Sequence, residues 1–158
     1  MRPSLLVLVA GTVATPAVAG TVSVTVPRLA VAEYHRPYVA VWLEPAAGGP
    51  ARTLALWYDV NKSGAEPGTK WLADLRGWWR KGGRSLHLPA DGVSGATRPP
   101  GVHTIALPAD VRPGAYVLHV EAARETGGRE LVQVPLTVPG TGRAGGSHEL
   151  GAVTVTAR

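Results

Sequence analysis

The sequence predicts a mainly β chain: an immunoglobulin-like antiparallel β-sandwich of about seven strands with one inserted amphipathic helix. Three observations predict it. Short apolar stretches alternate with a period of two along most of the chain. Gly 20 and Pro 14 in 158 residues punctuate those stretches at close intervals. Only the segment 70–81 changes to a helical period. A chain this long has room for one domain with a modest core.

Residues 1–19 read as an export signal. Arg2 supplies the positive start, Leu5 to Ala14 the apolar stretch, and Ala17-Val18-Ala19 the A-x-A pattern, so cleavage is expected after Ala19. A buried N-terminal strand fits less well, because Pro16 and the small residues end the run as a signal peptidase site requires. The apolar run is too short to span a bilayer and no second candidate follows it. The expected product is a periplasmic domain, residues 20–158, that is not membrane-spanning.

Thr21 to Val26 puts Val22, Val24 and Val26 on one face, as a half-buried strand does. Tyr38 to Glu44 alternates Val39, Val41 and Leu43 with Tyr38, Ala40 and Trp42. Both of its faces are apolar, so this strand is expected at the centre of a sheet. Pro45 to Pro50 is a turn, and Thr53 to Asp59 is its hairpin partner. On a helical wheel Trp71, Leu72, Leu75, Trp78 and Trp79 share one arc, which predicts a helix over 70–81, closed by Gly82-Gly83. Asp91 to Gly101 is a turn-rich loop. His103 to Leu107, Tyr116 to Ala123, Arg129 to Val138 and Leu150 to Thr156 complete the strands. Gly127-Gly128 marks a hairpin, and Gly140 to Gly146 reads as a flexible linker.

Composition removes several chemistries. Cys is 0, which excludes disulfides, thiolate zinc sites, iron–sulfur clusters, thioether-linked haem and a lipidated cysteine. The formal charge is +5, with one local cluster at Arg76, Arg80, Lys81 and Arg84. Solubility explains it, or attraction to an acidic or phosphate-bearing partner. No basic stripe or nucleic-acid signature accompanies it, so no nucleic-acid partner is expected. The five histidines lack metal-ligand spacing. Ser94 is not in a nucleophile elbow, which needs glycine two residues to either side, so a hydrolytic triad is not expected. Glu121, Arg124, Glu125, Arg129 and Glu130 surround a hairpin turn and read as solvated cross-strand pairs.

One segment stands apart. Asp91-Gly92-Val93-Ser94-Gly95-Ala96-Thr97 resembles the acceptor motif of flavin transferases: Asp, two variable residues, Ser or Thr, Gly, Ala, then Ser or Thr. The resemblance implies covalent FMN on the Thr97 hydroxyl, donated from FAD by a magnesium-dependent transferase. Asp91, Ser94, Gly95 and Ala96 would complete the recognition signal. The loop chemistry is consistent with this. An acceptor hydroxyl must be accessible, Gly95 and Ala96 keep the approach free of bulk, and Arg98 is placed to pair with a phosphate. Asp-Gly and Ser-Gly are also ordinary turn residues, and a plain turn is the competing reading. A flavin ring needs flat apolar faces, and Trp78 or Trp79 are the expected ones, the other tryptophans being core.

Longer stretches carry a second resemblance: Ala32-Glu33-Tyr34-His35-Arg36-Pro37-Tyr38 through Trp42, Trp57-Tyr58-Asp59, Lys70-Trp71-Leu72 through Trp78-Trp79-Arg80, Ser94 to Gly101, and Glu121 to Leu131. From about Val22 to Val138 the chain is similar to a family of predicted periplasmic proteins whose members tend to be encoded beside flavin transferases and PepSY-type membrane proteins. The resemblance implies a flavin-linked electron-transfer role, with those two proteins as partners. The alternative is an accessory module for a PepSY-type membrane reductase, without a cofactor.

Overall fold

The alternating valines of the first strand are buried as expected, and they fix which side of its sheet is the inside. The computed structural model describes residues 18–158. In chain order the elements are β1 (Val18–Val26), β2 (Tyr38–Pro45), β3 (Arg52–Tyr58), a 3₁₀ helix (Gly68–Asp74), α1 (Arg76–Arg80), a 3₁₀ turn (Gly83–Ser85), β4 (Ser94–Ala96), β5 (Gly101–Pro108), β6 (Gly114–Ala123), β7 (Arg129–Val138), β8 (Gly140–Gly145) and β9 (Ala152–Ala157). They form two sheets, ordered β5-β1-β9-β8 and β4-β3-β2-β6-β7. The helical segment is inserted between β3 and β4. The chain is thus a mainly β sandwich.

Two sets of buried residues explain the two kinds of strand pattern. Val22, Val24, Val153 and Val155 face Val39, Val41, Leu118, Val120 and Val134 between the sheets. On the outer face of the five-stranded sheet, Ala40, Trp42, Leu56 and Tyr58 meet Leu72, Leu75 and Trp78. That sheet is covered on both faces, and β2, apolar on both sides, lies at its centre.

Among the described residues nine strands stand where about seven were expected. The stretch expected as a linker, 140–146, is largely strand: β8 pairs with β9 from Gly140 opposite Ala157 to Gly145 opposite Ala152. Gly142 in it serves close approach rather than flexibility. A Cβ on Gly142 would lie 2.6 Å from the Pro135 carbonyl oxygen, so only glycine lets β8 cross β7 this tightly. The other addition, β4, runs parallel to β3, Leu56 opposite Ser94 and Tyr58 opposite Ala96. The other strand pairings are antiparallel.

The helix expected over 70–81 is a second correction. The segment is a 3₁₀ helix to Asp74 and a separate α-helix from Arg76, with a break at Leu75 (φ −76°, ψ 69°). Glu121, 0% exposed on β6, meets the start of the second piece. Its carboxylate accepts the backbone N–H of Gly77 at 3.1 Å and of Trp78 at 2.9 Å. A Cβ on Gly77 would sit 3.0 Å from that carboxylate, a tighter approach than an ordinary Cβ contact, so glycine eases the meeting. A five-residue helix has no independent stability. Burial of Leu72, Leu75 and Trp78 contributes about 1.5–3 kcal/mol each and holds it in place. Gly82, at φ 115°, lies just past its end, where the stop was expected.

Glu130 ties the loop before β9 to β7. It accepts hydrogen bonds from the backbone N–H of Ser147, His148 and Leu150 and from the Ser147 hydroxyl. Burial works to raise its pKa, but these hydrogen bonds together hold the carboxyl below its ordinary value. The folded state therefore binds this proton less readily than the unfolded chain. The stabilisation is complete above the unfolded value of about 4.3 and is lost as pH falls through the lower folded value. We expect the urea midpoint to fall across that acid range. In Glu130→Gln the fall is shallower and the midpoint at pH 7 is already lower. Parallel curves for the two proteins would refute this.

Candidate functional site

β2 begins at the same end of its sheet at which β3, β4 and β6 finish: Tyr38 pairs with Ala123, Val39 with Trp57, and Tyr58 with Ala96. The segments leaving these strands converge there around a cleft of about 510 Å³. That volume lies within the range of about 300–1,000 Å³ usual for small-molecule sites. Its walls are Tyr34, His35, Arg36 and Tyr38 at the start of β2, Asp59 and Lys62 after β3, Trp71 and Asp74 of the 3₁₀ helix, Thr97 after β4, and 123–126 at the β6–β7 turn.

Of the residues expected to hold the flavin, Thr97 is the one that lines this cleft. It is half-buried, following β4 directly. The four preceding motif residues build the approach to it. Asp91 is exposed in a turn. The Ser94 hydroxyl accepts the Ala90 N–H at 2.9 Å and closes that turn. Gly95 lies over Trp57, and Ala96 is exposed on the edge of the sheet. Ser94 therefore has a local structural task that a plain turn would also give it.

Three expected ligand contacts are placed elsewhere. Trp78 is 1% exposed and belongs to the core; its indole N–H donates to the Thr53 hydroxyl at 2.9 Å, so no ligand can stack on it. Trp79 is half-buried against the same core cluster and does not line the cleft. The Arg98 guanidinium lies 5.4 Å from the Trp57 ring centroid and also does not line it. The cleft cations without a carboxylate within 4 Å, among the described residues, are Arg36 and Lys62.

The indole in the cleft is Trp71, 44% exposed. Its position follows from the 3₁₀ geometry. With three residues per turn, residues three apart eclipse. Leu72 and Leu75 thus share the core side, and Trp71 and Asp74 share the cleft side. An α-helical wheel merges the two stripes, which is why it grouped Trp71 with the core.

The opposite wall is held by buried charges. Arg124 donates to Glu149 through Nε (2.9 Å) and Nη2 (3.1 Å), and Glu149 also accepts the Gly128 N–H. The side chains are 7% and 6% exposed. Hydrogen bonding to Glu149 raises the already high pKa of Arg124. Glu121 and Arg124, expected as solvated hairpin charges, are thus buried and bonded across the fold. Thr126, at φ 54°, takes a left-handed conformation unusual for a β-branched residue, on the rim of the cleft.

Two tyrosines finish the site. The Tyr38 hydroxyl donates to the Gly68 carbonyl at 3.0 Å. Burial, with the Asp59 carboxylate beside it, pushes its pKa up to about 12, so it is a fixed neutral donor and not an acid–base group near neutrality. The Tyr34 hydroxyl is buried and, among the described residues, has no hydrogen-bond partner. An unsatisfied buried hydroxyl costs about 1–3 kcal/mol. The carboxylates Asp59, Asp74 and Glu125 balance Arg36, Lys62 and Arg124 in the lining. Among the described residues no three metal-ligating side chains cluster.

The arrangement spans segments from residue 34 to residue 126, and a family model covers all of them, matching residues 19–152. The chain belongs to the family described as predicted periplasmic protein (DUF2271). Neither the curated proteins nor the solved structures contain a match to it. Most of the expected signal peptide, residues 1–17, lies outside the described residues. Because β1 begins at Val18, a cut after Ala19 would trim two residues from it. Gly20 to Val24 would stay paired with both β5 and β9. Among the described residues no helix is long and apolar enough to cross a membrane.

Proposed function

We propose that this family member is a periplasmic electron-transfer protein carrying FMN on Thr97 through a phosphodiester bond. The observation that supports this reading is the setting of Thr97. Thr97 is half-buried and lines a 510 Å³ cleft that Trp71 also lines. It follows Asp91, Ser94, Gly95 and Ala96, the residues resembling a flavin-transferase acceptor signal. The cleft suits the group on physical grounds: it offers room, an exposed indole and, among the described residues, two cations without a carboxylate within 4 Å.

In the transfer step, Thr97 Oγ bonds to the flavin-side phosphorus of FAD as the pyrophosphate P–O bond breaks. AMP leaves, and the hydroxyl proton passes to the transferase. The flavin, once attached, accepts and donates the electrons. The chain tethers it at Thr97, offers Arg36 or Lys62 to the phosphate, and narrows access of water through the 3₁₀ helix and the β6–β7 turn. A PepSY-type membrane protein is the proposed electron donor.

Coexpression with a flavin transferase tests this. Intact-mass spectra are expected to show one FMN adduct on the wild type and none on Thr97→Ala. An adduct on both proteins, or on neither, would reject the assignment. A colourless protein that still captures a PepSY-type partner would favour the accessory role.

A further inference from the structure

The basic cluster lies outside the cleft and is built as a surface of its own. Between Asp74 and Asp91 the chain has no carboxylate and four cations, Arg76, Arg80, Lys81 and Arg84. The whole chain carries sixteen Lys and Arg against eleven Asp and Glu. Setting aside Arg2 of the expected export signal and these four leaves eleven against eleven. The excess charge of the domain is therefore concentrated in this one segment.

The fold presents the four together. Leu75 and Trp78 are buried beneath α1, which turns Arg76 and Arg80, four residues apart, outward on one side. The 3₁₀ turn that follows folds back on α1. Its Gly83 is buried so closely against Trp78 that a Cβ there would collide with the indole. Arg84 is thus held beside α1. All four residues are exposed. Lys81 reaches Glu44 at 2.8 Å. Arg76, Arg80 and Arg84 have no carboxylate within 4 Å among the described residues. The exposed large hydrophobic residues lie outside 75–90, so the face offers charge without an apolar anchor. A protein partner is held mainly by buried aromatic and aliphatic anchors. A dense layer of lipid phosphates needs only cations on a fixed face.

We propose that this face docks the protein on an anionic phospholipid surface, with Arg76, Arg80 and Arg84 on the headgroup phosphates. The family is described as periplasmic, and a periplasm lies between membranes. The contact is electrostatic and does not insert, so it is reversible and salt-sensitive. The 3₁₀ helix that lines the cleft leads directly into α1, so docking holds the cleft near that membrane. None of this depends on what Thr97 carries.

Vesicle flotation tests it. The protein is expected to float with vesicles of phosphatidylglycerol and not with vesicles of phosphatidylcholine. Raising the salt from about 0.01 M to about 1 M shortens the screening length from about 30 Å to about 3 Å and should release it. Each cation near an anionic surface is worth about fivefold in affinity, so Arg80→Gln with Arg84→Gln weakens binding about twenty-fivefold. Arg112→Gln with Arg143→Gln removes the same charge outside the segment and should leave binding nearly unchanged. All four positions are exposed, so both double variants should melt as the wild type does. Equal losses in the two double variants would show that net charge alone is responsible, and equal binding to the two lipids would show that charge is not; either result overturns the proposal. Failure to bind phosphatidylglycerol overturns it as well. Capture by poly-glutamate instead, abolished in Arg80→Gln with Arg84→Gln, would assign the face to an acidic protein.

Discussion

Glu121→Ala is expected to lower stability by about 2–6 kcal/mol, because it orphans two buried backbone donors at about 1–3 kcal/mol each. The carboxylate is fully buried and accepts from Gly77 and Trp78 at the start of α1. It also pairs with Arg129. No nearby side chain replaces it: neither helical piece has a side-chain cap of its own. The loss should appear as a melting temperature lower by roughly 10 °C. A change in the near-ultraviolet tryptophan signal should accompany it as Trp78 loosens. Arg129→Met should cost less, since Arg129 is 39% exposed and the two backbone donors continue to hold the carboxylate. A loss below about 1 kcal/mol for Glu121→Ala, within the range of ordinary surface changes, would show that apolar burial alone anchors the helical segment.

Arg124→Ala is expected to cost about 3–5 kcal/mol, as breaking a buried ion pair from one side does. It strands Glu149, 6% exposed, with the Gly128 N–H as the one donor left to it among the described residues. The cleft should suffer as well, since Arg124 is part of its wall. The double replacement Arg124→Leu with Glu149→Leu removes both charges and should be the more stable protein of the two. Urea unfolding of the two variants checks the order. If the single variant is the more stable one, the pair is not what holds the β6–β7 turn against the loop before β9.

The strands were legible because their signal is local. Alternation in 21–26 and two-sided apolarity in 38–44 each follow from side chains that point to opposite faces every second residue. Those stretches became β1 and the central β2. The Gly127-Gly128 hairpin was legible for the same reason. The glycine run 140–146 was misread because composition cannot distinguish a glycine that needs freedom from one that needs contact. Only the distance from Gly142 to Pro135 tells them apart.

The site was legible in one residue and hidden in the rest. Thr97 stood out through the residues before it. Trp71 was hidden by the choice of helical period, since three and 3.6 residues per turn assign it to different faces. Tyr34 and Arg124 carried no local signal, because their meaning depends on partners far along the chain. Arg124 finds Glu149 twenty-five positions later, and the Tyr34 hydroxyl is buried with no partner among the described residues.

Periodicity and turn chemistry determined, from the sequence by itself, that this protein is a β-sandwich with one helical insertion. Motif spacing singled out one threonine. Tertiary structure alone decided which indole faces the cleft, where the helical segment breaks, and that the hairpin charges are buried. The physical reason is reach. Side-chain alternation is set by neighbours within a few bonds, whereas burial, ion pairing and the walls of a cleft are set by residues that meet only after the sheets have packed.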